Sequence, residues 1–152
     1  MKRYFAYGTL LDLASMQDFA PSATPNGVMR LDGYQLDFAE TCRKGKGGCW
    51  LIPKEGAVTY GLEYTMSDED MARLDVASGV PDGLWVHKPV TVTDAEGNKV
   101  ETVTYTIPGD PAPFNPGEQY VSLIRKGMAA LDLPADYVER IKSVIEVARA
   151  RP

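Results

Sequence analysis

"YFAYGTLL", residues 4–11, is an apolar, aromatic strand that stops at Gly8-Thr9 and then turns apolar again. Strands often end on glycine, so a plain turn is one reading. The other is a stretch of backbone bared to hold a ligand, because glycine lets another group approach without a Cβ in the way. The rest of the chain has to choose between them.

Working outward, residues 3–7 read as a buried strand. "GVMRLDGYQLDFA", 27–39, reads as a second strand bent at Gly33. "GCWLIP" (48–53) and "AVTYGLEYTM" (57–66) read as a hairpin pair around "KEG". In the second of these, Val58, Tyr60, Leu62 and Tyr64 alternate with Thr59, Gly61, Glu63 and Thr65, the period of two of a strand. "SDEDMARLDVA" changes period: Ser67 caps a helix, Asp70 completes a capping box, and Met71 and Leu74 face inward. "SGVPDG" (78–83) is a turn-rich loop. Strands return at 84–93 and 99–108 around the hairpin loop "DAEGN". Asn115, Pro116 and Glu118 suggest N-cap, N1 and N3 of a helix running to about Leu131. Pro134 opens a last helix whose Tyr137, Ile141, Val144, Ile145 and Ala148 share one face. Strands, a short helix, more strands and two helices make an α+β chain whose core is a strongly bent sheet or small barrel. The 152 residues suit one domain, 1–152, with no linker or repeat.

Composition narrows the function. The net charge is −5, so binding nucleic acid through a general basic surface is not expected. "RKGKGG", 43–48, is locally basic, but its glycines form neither a P-loop nor a dinucleotide fingerprint, and it reads as a solvated loop. No apolar run reaches the about 18 residues that span a bilayer, and "MKRYFAYG" lacks a signal peptide's apolar core, so a cytoplasmic protein is expected. The two cysteines, Cys42 and Cys49, read as free thiols in that setting. With His87 the only histidine, neither a Cys-His enzyme nor a structural zinc site is well supported.

Four segments together resemble the gamma-glutamylcyclotransferase-like (AIG2-like) family. "YFAYGTLL" resembles its Y-G-S/T-L loop, and "LDGYQLDF" (31–38) its second strand. "LDVASGVPDGLWV" (74–86) resembles its L-D-x-x-E-G-V-x-x-G-x-Y motif. Residues 114–141 resemble its C-terminal helices, with Pro116, Tyr120, Ile124, Gly127, Leu133, Pro134 and Tyr137 in place. The resemblance implies a compact mixed barrel with a cavity lined by the Y-G-T-L loop. It also implies chemistry on a small γ-glutamyl amine or peptide: the substrate's α-amine attacks its own γ-carbonyl, 5-oxoproline forms, and an amine leaves without a cofactor or metal. Tyr7, Gly8, Thr9, Leu10, Trp85, Tyr105 and Tyr120 would then bind substrate. The amides around Gly8, Thr9 and Leu10 would hold a carboxylate or developing oxyanion.

The sequence departs from the family's motif at the glutamate that would move protons. Ser78 stands there, and a neutral serine cannot act as a base unless another base activates it. Trp85 replaces a frequent tyrosine. Two residues are candidates to supply the missing function. Glu40 ends the second strand, and His87 shares the face of Trp85 on an extended strand and titrates in a useful range. Asp75 and Asp82 flank the motif and read as helix-ending and turn residues. The proline-rich stretch 108–116 reads as a lid over the cavity or as a plain connection. Besides an enzyme, the sequence allows a small-molecule binding or regulatory domain that kept the pocket and lost catalysis. It also allows a relative with a different acyl or amine transfer.

Overall fold

The computed structural model describes residues 1–152. Five strands form one sheet in the order β1-β3-β2-β4-β5: β1 (Lys2–Ala6), β2 (Thr24–Glu40), β3 (Gly47–Met66), β4 (Val86–Thr93) and β5 (Lys99–Thr106). Every pairing is antiparallel. Four helices complete the chain: α1 (Leu13–Phe19), α2 (Asp68–Ala77), α3 (Glu118–Ala129) and α4 (Ala135–Arg149). None is long and apolar enough to cross a membrane.

The sheet curls on itself. The β4–β5 hairpin joins the rest through the single ladder pair Arg30↔Thr93, so that seam is open to bending. The two edge strands then meet through side chains instead of a ladder. The Thr104 hydroxyl donates to the Phe5 carbonyl at 2.6 Å, and the Tyr7 hydroxyl donates to the Tyr105 carbonyl at 2.7 Å. The inner surface is packed with Phe5, Leu36, Phe38, Tyr64 and Met66, all fully buried, and is closed by Ile124 of α3 and Ile145 of α4.

The structure departs from the sequence reading in four places. "KEG" is not a hairpin turn. Asp32 lies opposite Val58 and Tyr34 opposite Pro53, so residues 54–57 bulge from one continuous strand and both halves of β3 pair with β2. Gly56 takes φ +81° there, and a bulge draws on the same left-handed glycine that a turn does. Asp70 does not close a capping box. Ser67 does cap α2, accepting from the Asp70 amide, but the Ser67 amide donates to the Ser22 hydroxyl, and the buried Asp70 carboxylate accepts from both the amide and the hydroxyl of Ser22. The third helix begins at Glu118. Asn115 instead donates to the Arg149 and Arg151 carbonyls and so holds the end of α4. Helix α1 follows the first loop, capped by Asp12, which accepts from Ser15.

Candidate active site

A cavity of about 270 Å³ opens at one end of the curled sheet. That is the size class of a small-molecule pocket. Its walls come from several separate segments. β1 leads into the loop of Tyr7, Gly8, Thr9 and Leu10; the start of β3 gives Lys46, Gly47 and Cys49; the end of α2 gives Leu74, Ala77 and Ser78. Trp85, Tyr105 of β5 and Tyr120 of α3 line it as well, with Tyr4 of β1 and Phe19 of α1.

The first loop is held in place from both sides. The first bond of its 3₁₀ turn (Thr9–Leu11) runs from the Leu11 amide to the Gly8 carbonyl, so the Thr9 and Leu10 amides head the turn with no partner inside it. The Tyr64 hydroxyl donates to the Leu10 carbonyl at 2.9 Å. Gly8 is needed for a reason invisible in the local sequence: a Cβ there would stand 2.5 Å from the Cys49 Sγ. The glycine lets β1 and β3 close up beneath the cavity floor.

Ser78 is placed by the end of α2. Its amide bonds the Leu74 carbonyl, and Gly79 follows with φ +74°, turning the chain away. A Cβ on Gly79 would also strike Leu84 at 2.5 Å. The indole of Trp85 is fixed as its Nε1 donates to the Cys49 carbonyl at 3.0 Å. The Tyr120 hydroxyl accepts from the Cys49 amide at 2.9 Å. The wall is therefore preorganised around the backbone of one residue.

Its ionisable groups are mostly held neutral. Burial pushes the Tyr7 and Tyr120 phenols well above their ordinary range, with the neighbouring Cys49 adding to it. Burial also pushes the Cys49 thiol up to about 12, so it is not a nucleophile near neutral pH. Tyr105 is raised by burial first and then by the neighbouring Tyr4 and the Asp75 carboxylate. All three phenols remain O–H groups at neutral pH, able to orient a carboxylate or amide.

All seven expected binding residues and Ser78 lie on this one cavity. The two candidate bases do not. Glu40, at the end of β2, accepts from the Gly45 amide at 3.1 Å and so holds the loop after it. His87 is exposed, and its Nε2 lies 2.7 Å from Asp75 Oδ1. It does reach the back of the wall, because it is the cross-strand partner of Tyr105 and the two rings sit 5.6 Å apart. Asp82 is exposed and pairs with Arg43 at 3.4 Å. Sequence reasoning missed Lys46, the one charged lining residue, which belongs to the stretch read as a solvated loop. It also took Asp75 for a helix end. Asp75 accepts from the Tyr105 hydroxyl at 2.5 Å and contacts His87, directly behind the cavity wall. Its spacing three residues before Ser78 was the available signal, since i and i+3 share a helix face. No group of three or more His, Cys, Asp or Glu side chains comes together that could hold a metal ion.

Comparison with known proteins gives consistent matches. The model of the AIG2-like family matches residues 58–141. Human gamma-glutamylcyclotransferase is 30% identical over 147 residues, covering 93% of this chain and 77% of its own. A solved gamma-glutamyl cyclotransferase superposes with a TM-score of 0.85 at 25% identity, covering 99% of each chain. A human crystal structure also gives 0.85, at 29% identity, covering 93% of this chain and 86% of its own.

Proposed function

The chain belongs to the AIG2-like family, and on that premise we propose that it is a γ-glutamylcyclotransferase-type enzyme acting on a small γ-glutamyl amine or peptide. The observation that carries the reading is the cavity: the Tyr7–Leu10 loop, Ser78, Trp85, Tyr105 and Tyr120 converge on one pocket of about 270 Å³. The substrate's α-amine attacks its γ-carbonyl carbon. A C–N bond forms, the γ-amide C–N bond breaks, and 5-oxoproline and an amine leave. The pocket supplies orientation, which turns two groups of one molecule into a near-attack pair. The Thr9 and Leu10 amides and the Tyr120 hydroxyl, whose hydrogen is left free as it accepts from Cys49, supply donors for the substrate carboxylate and for the oxyanion that develops at the γ-carbon. Lys46 at the wall adds a cation for an anionic substrate.

A second reading, a binding domain without turnover, is favoured by one observation: no carboxylate or imidazole is among the lining residues. One experiment separates the two. Native chain and Ser78→Glu are incubated with γ-glutamyl amino acids, γ-glutamyl amines and glutathione, and 5-oxoproline is followed by mass spectrometry. Release by the native chain is the expected result. Release by Ser78→Glu alone means an intact pocket lacking its base. Silence from both, with ligand-induced stabilisation, overturns the enzyme reading in favour of the binding one.

A further inference from the structure

The cyclotransferase reading leaves the α-ammonium proton without an acceptor in the cavity. We propose that Asp75 is the proton store for the reaction, acting through Tyr105, with His87 holding it in position. The proposal rests on that reading and adds two residues behind the wall.

The geometry points one way. Tyr105 lines the cavity. Its hydroxyl donates to Asp75 Oδ1 at 2.5 Å, and Ser78 lines the same cavity. His87 Nε2 reaches that same Oδ1 at 2.7 Å. One carboxylate oxygen thus takes a donor from the cavity wall and a donor from a ring that is 43% exposed, while the carboxylate itself is 23% exposed. Asp75 comes from α2, His87 from β4 and Tyr105 from β5. Tyr4 of β1, with its ring 5.0 Å from that of Tyr105, faces the group from the remaining side. Ser78 has the chemistry of a bridge and no base of its own, and Glu40 is turned away.

Protons balance through this arrangement. The α-ammonium passes one proton to Tyr105 Oη as the phenol proton passes to Asp75 Oδ1. The freed nitrogen pair attacks the γ-carbon. As the γ-amide C–N bond breaks, its electron pair goes to the leaving nitrogen, which takes the stored proton back by the same path. Of the three ammonium protons, one stays on the 5-oxoproline nitrogen, one reaches the leaving nitrogen and one goes to water. The His87 Nε2–H holds the carboxylate oxygen that accepts the proton toward Tyr105. Asp75 and His87 are positioning residues, since neither touches substrate.

The test uses the full chain and three variants. Asp75→Asn is expected to lower kcat about 10²-fold with the fold retained. His87→Gln keeps an N–H donor, whereas His87→Phe keeps only the ring. The acid limb of the kcat–pH profile should move toward neutral pH in His87→Phe and stay near its native place in His87→Gln. Native kcat in Asp75→Asn, or identical profiles for the two His87 variants, overturns the proposal. Should Asp75→Asn not fold, the exposed His87 pair still decides it. Failure of the cyclotransferase reading is seen separately, as silence of native chain and Ser78→Glu on the γ-glutamyl panel. In that case the network is read without substrate. His87 is the chain's only histidine, so its ring NMR signals report alone. Their pH dependence should change in Tyr105→Phe, and an unchanged curve overturns the coupling.

Discussion

Two carboxylates in this molecule are approached by several donors each, and they do opposite things. Glu63 of β3 has a fully buried side chain. Arg3 meets it with two nitrogens, at 3.1 and 2.7 Å, Asn26 donates at 2.7 Å and the Thr102 hydroxyl at 2.9 Å. Those donors lie on separate segments, so Glu63 ties β1, the start of β2 and β5 together around one charge. It has no opening to the cavity. Asp75 is partly exposed and takes its donors from a phenol on a cavity wall and an imidazole facing solvent. A carboxylate saturated by fixed donors is a structural tie. One reached by groups that can pass or take protons, between a cavity and water, is the one for which we propose a part in the chemistry.

The comparison breaks if the two sites respond alike. Glu63→Ala strands the buried Thr102 hydroxyl and leaves the half-exposed Arg3 unpaired. It should cost about 2–3 kcal/mol of unfolding free energy, read by urea denaturation, while ligand affinity of the folded fraction stays native. A loss below about 1 kcal/mol would remove the structural tie. Asp75→Asn should do the reverse: kcat falls about 10²-fold while unfolding free energy changes by about 1 kcal/mol. Gly8→Ala lies between them, because its Cβ would press on Cys49 Sγ at 2.5 Å. Overpacking of that kind costs about 1–3 kcal/mol, and calorimetry should show a lowered Tm together with weaker ligand binding.

A third carboxylate sharpens the contrast by pH. Asp70 is held below its ordinary range, first by the Ser22 hydroxyl and then by the Ser22 amide. A depressed carboxylate contributes stability above its unfolded-state value and loses it as pH falls through the folded value. Ser22→Ala removes the hydroxyl. The native chain's Tm advantage over it should therefore be full near neutral pH and shrink as the medium is acidified below the carboxylate range. An advantage independent of pH would discount the hydroxyl contact. The smallest effect is on the thiols. Cys42 is exposed, while Cys49 is buried with its thiol raised to about 12. Iodoacetamide at neutral pH should modify Cys42 alone in folded protein, read by peptide mass spectrometry, and a modified Cys49 would mean that the cavity floor opens.

The barrel was largely legible, because period-two alternation and helix faces report burial directly. What failed to read was long-range. "KEG" carries turn chemistry, and only its opposition to β2 shows that the glycine serves a bulge. Asn115 looks like an N-cap until the end of α4 comes round to take its donors. Asp70 has capping-box spacing, but Ser22 competes for it across the fold. The site divides in the same way. The loop and tyrosines singled out by motif order line one cavity, whereas Asp75 was read as a helix end. Its meaning depends on β4 and β5 bringing His87 and Tyr105 to it, which no local pattern encodes.

The ties around the cavity span much of the chain: 98 positions separate Tyr7 from Tyr105, and 71 separate Cys49 from Tyr120. No short contiguous piece of the sequence therefore contains the pocket. It cannot be lent to another protein as a segment, nor gained by inserting one, because cutting out any part removes a wall. Changes to the pocket come one wall residue at a time, and Ser78, at the end of α2, is one of those walls.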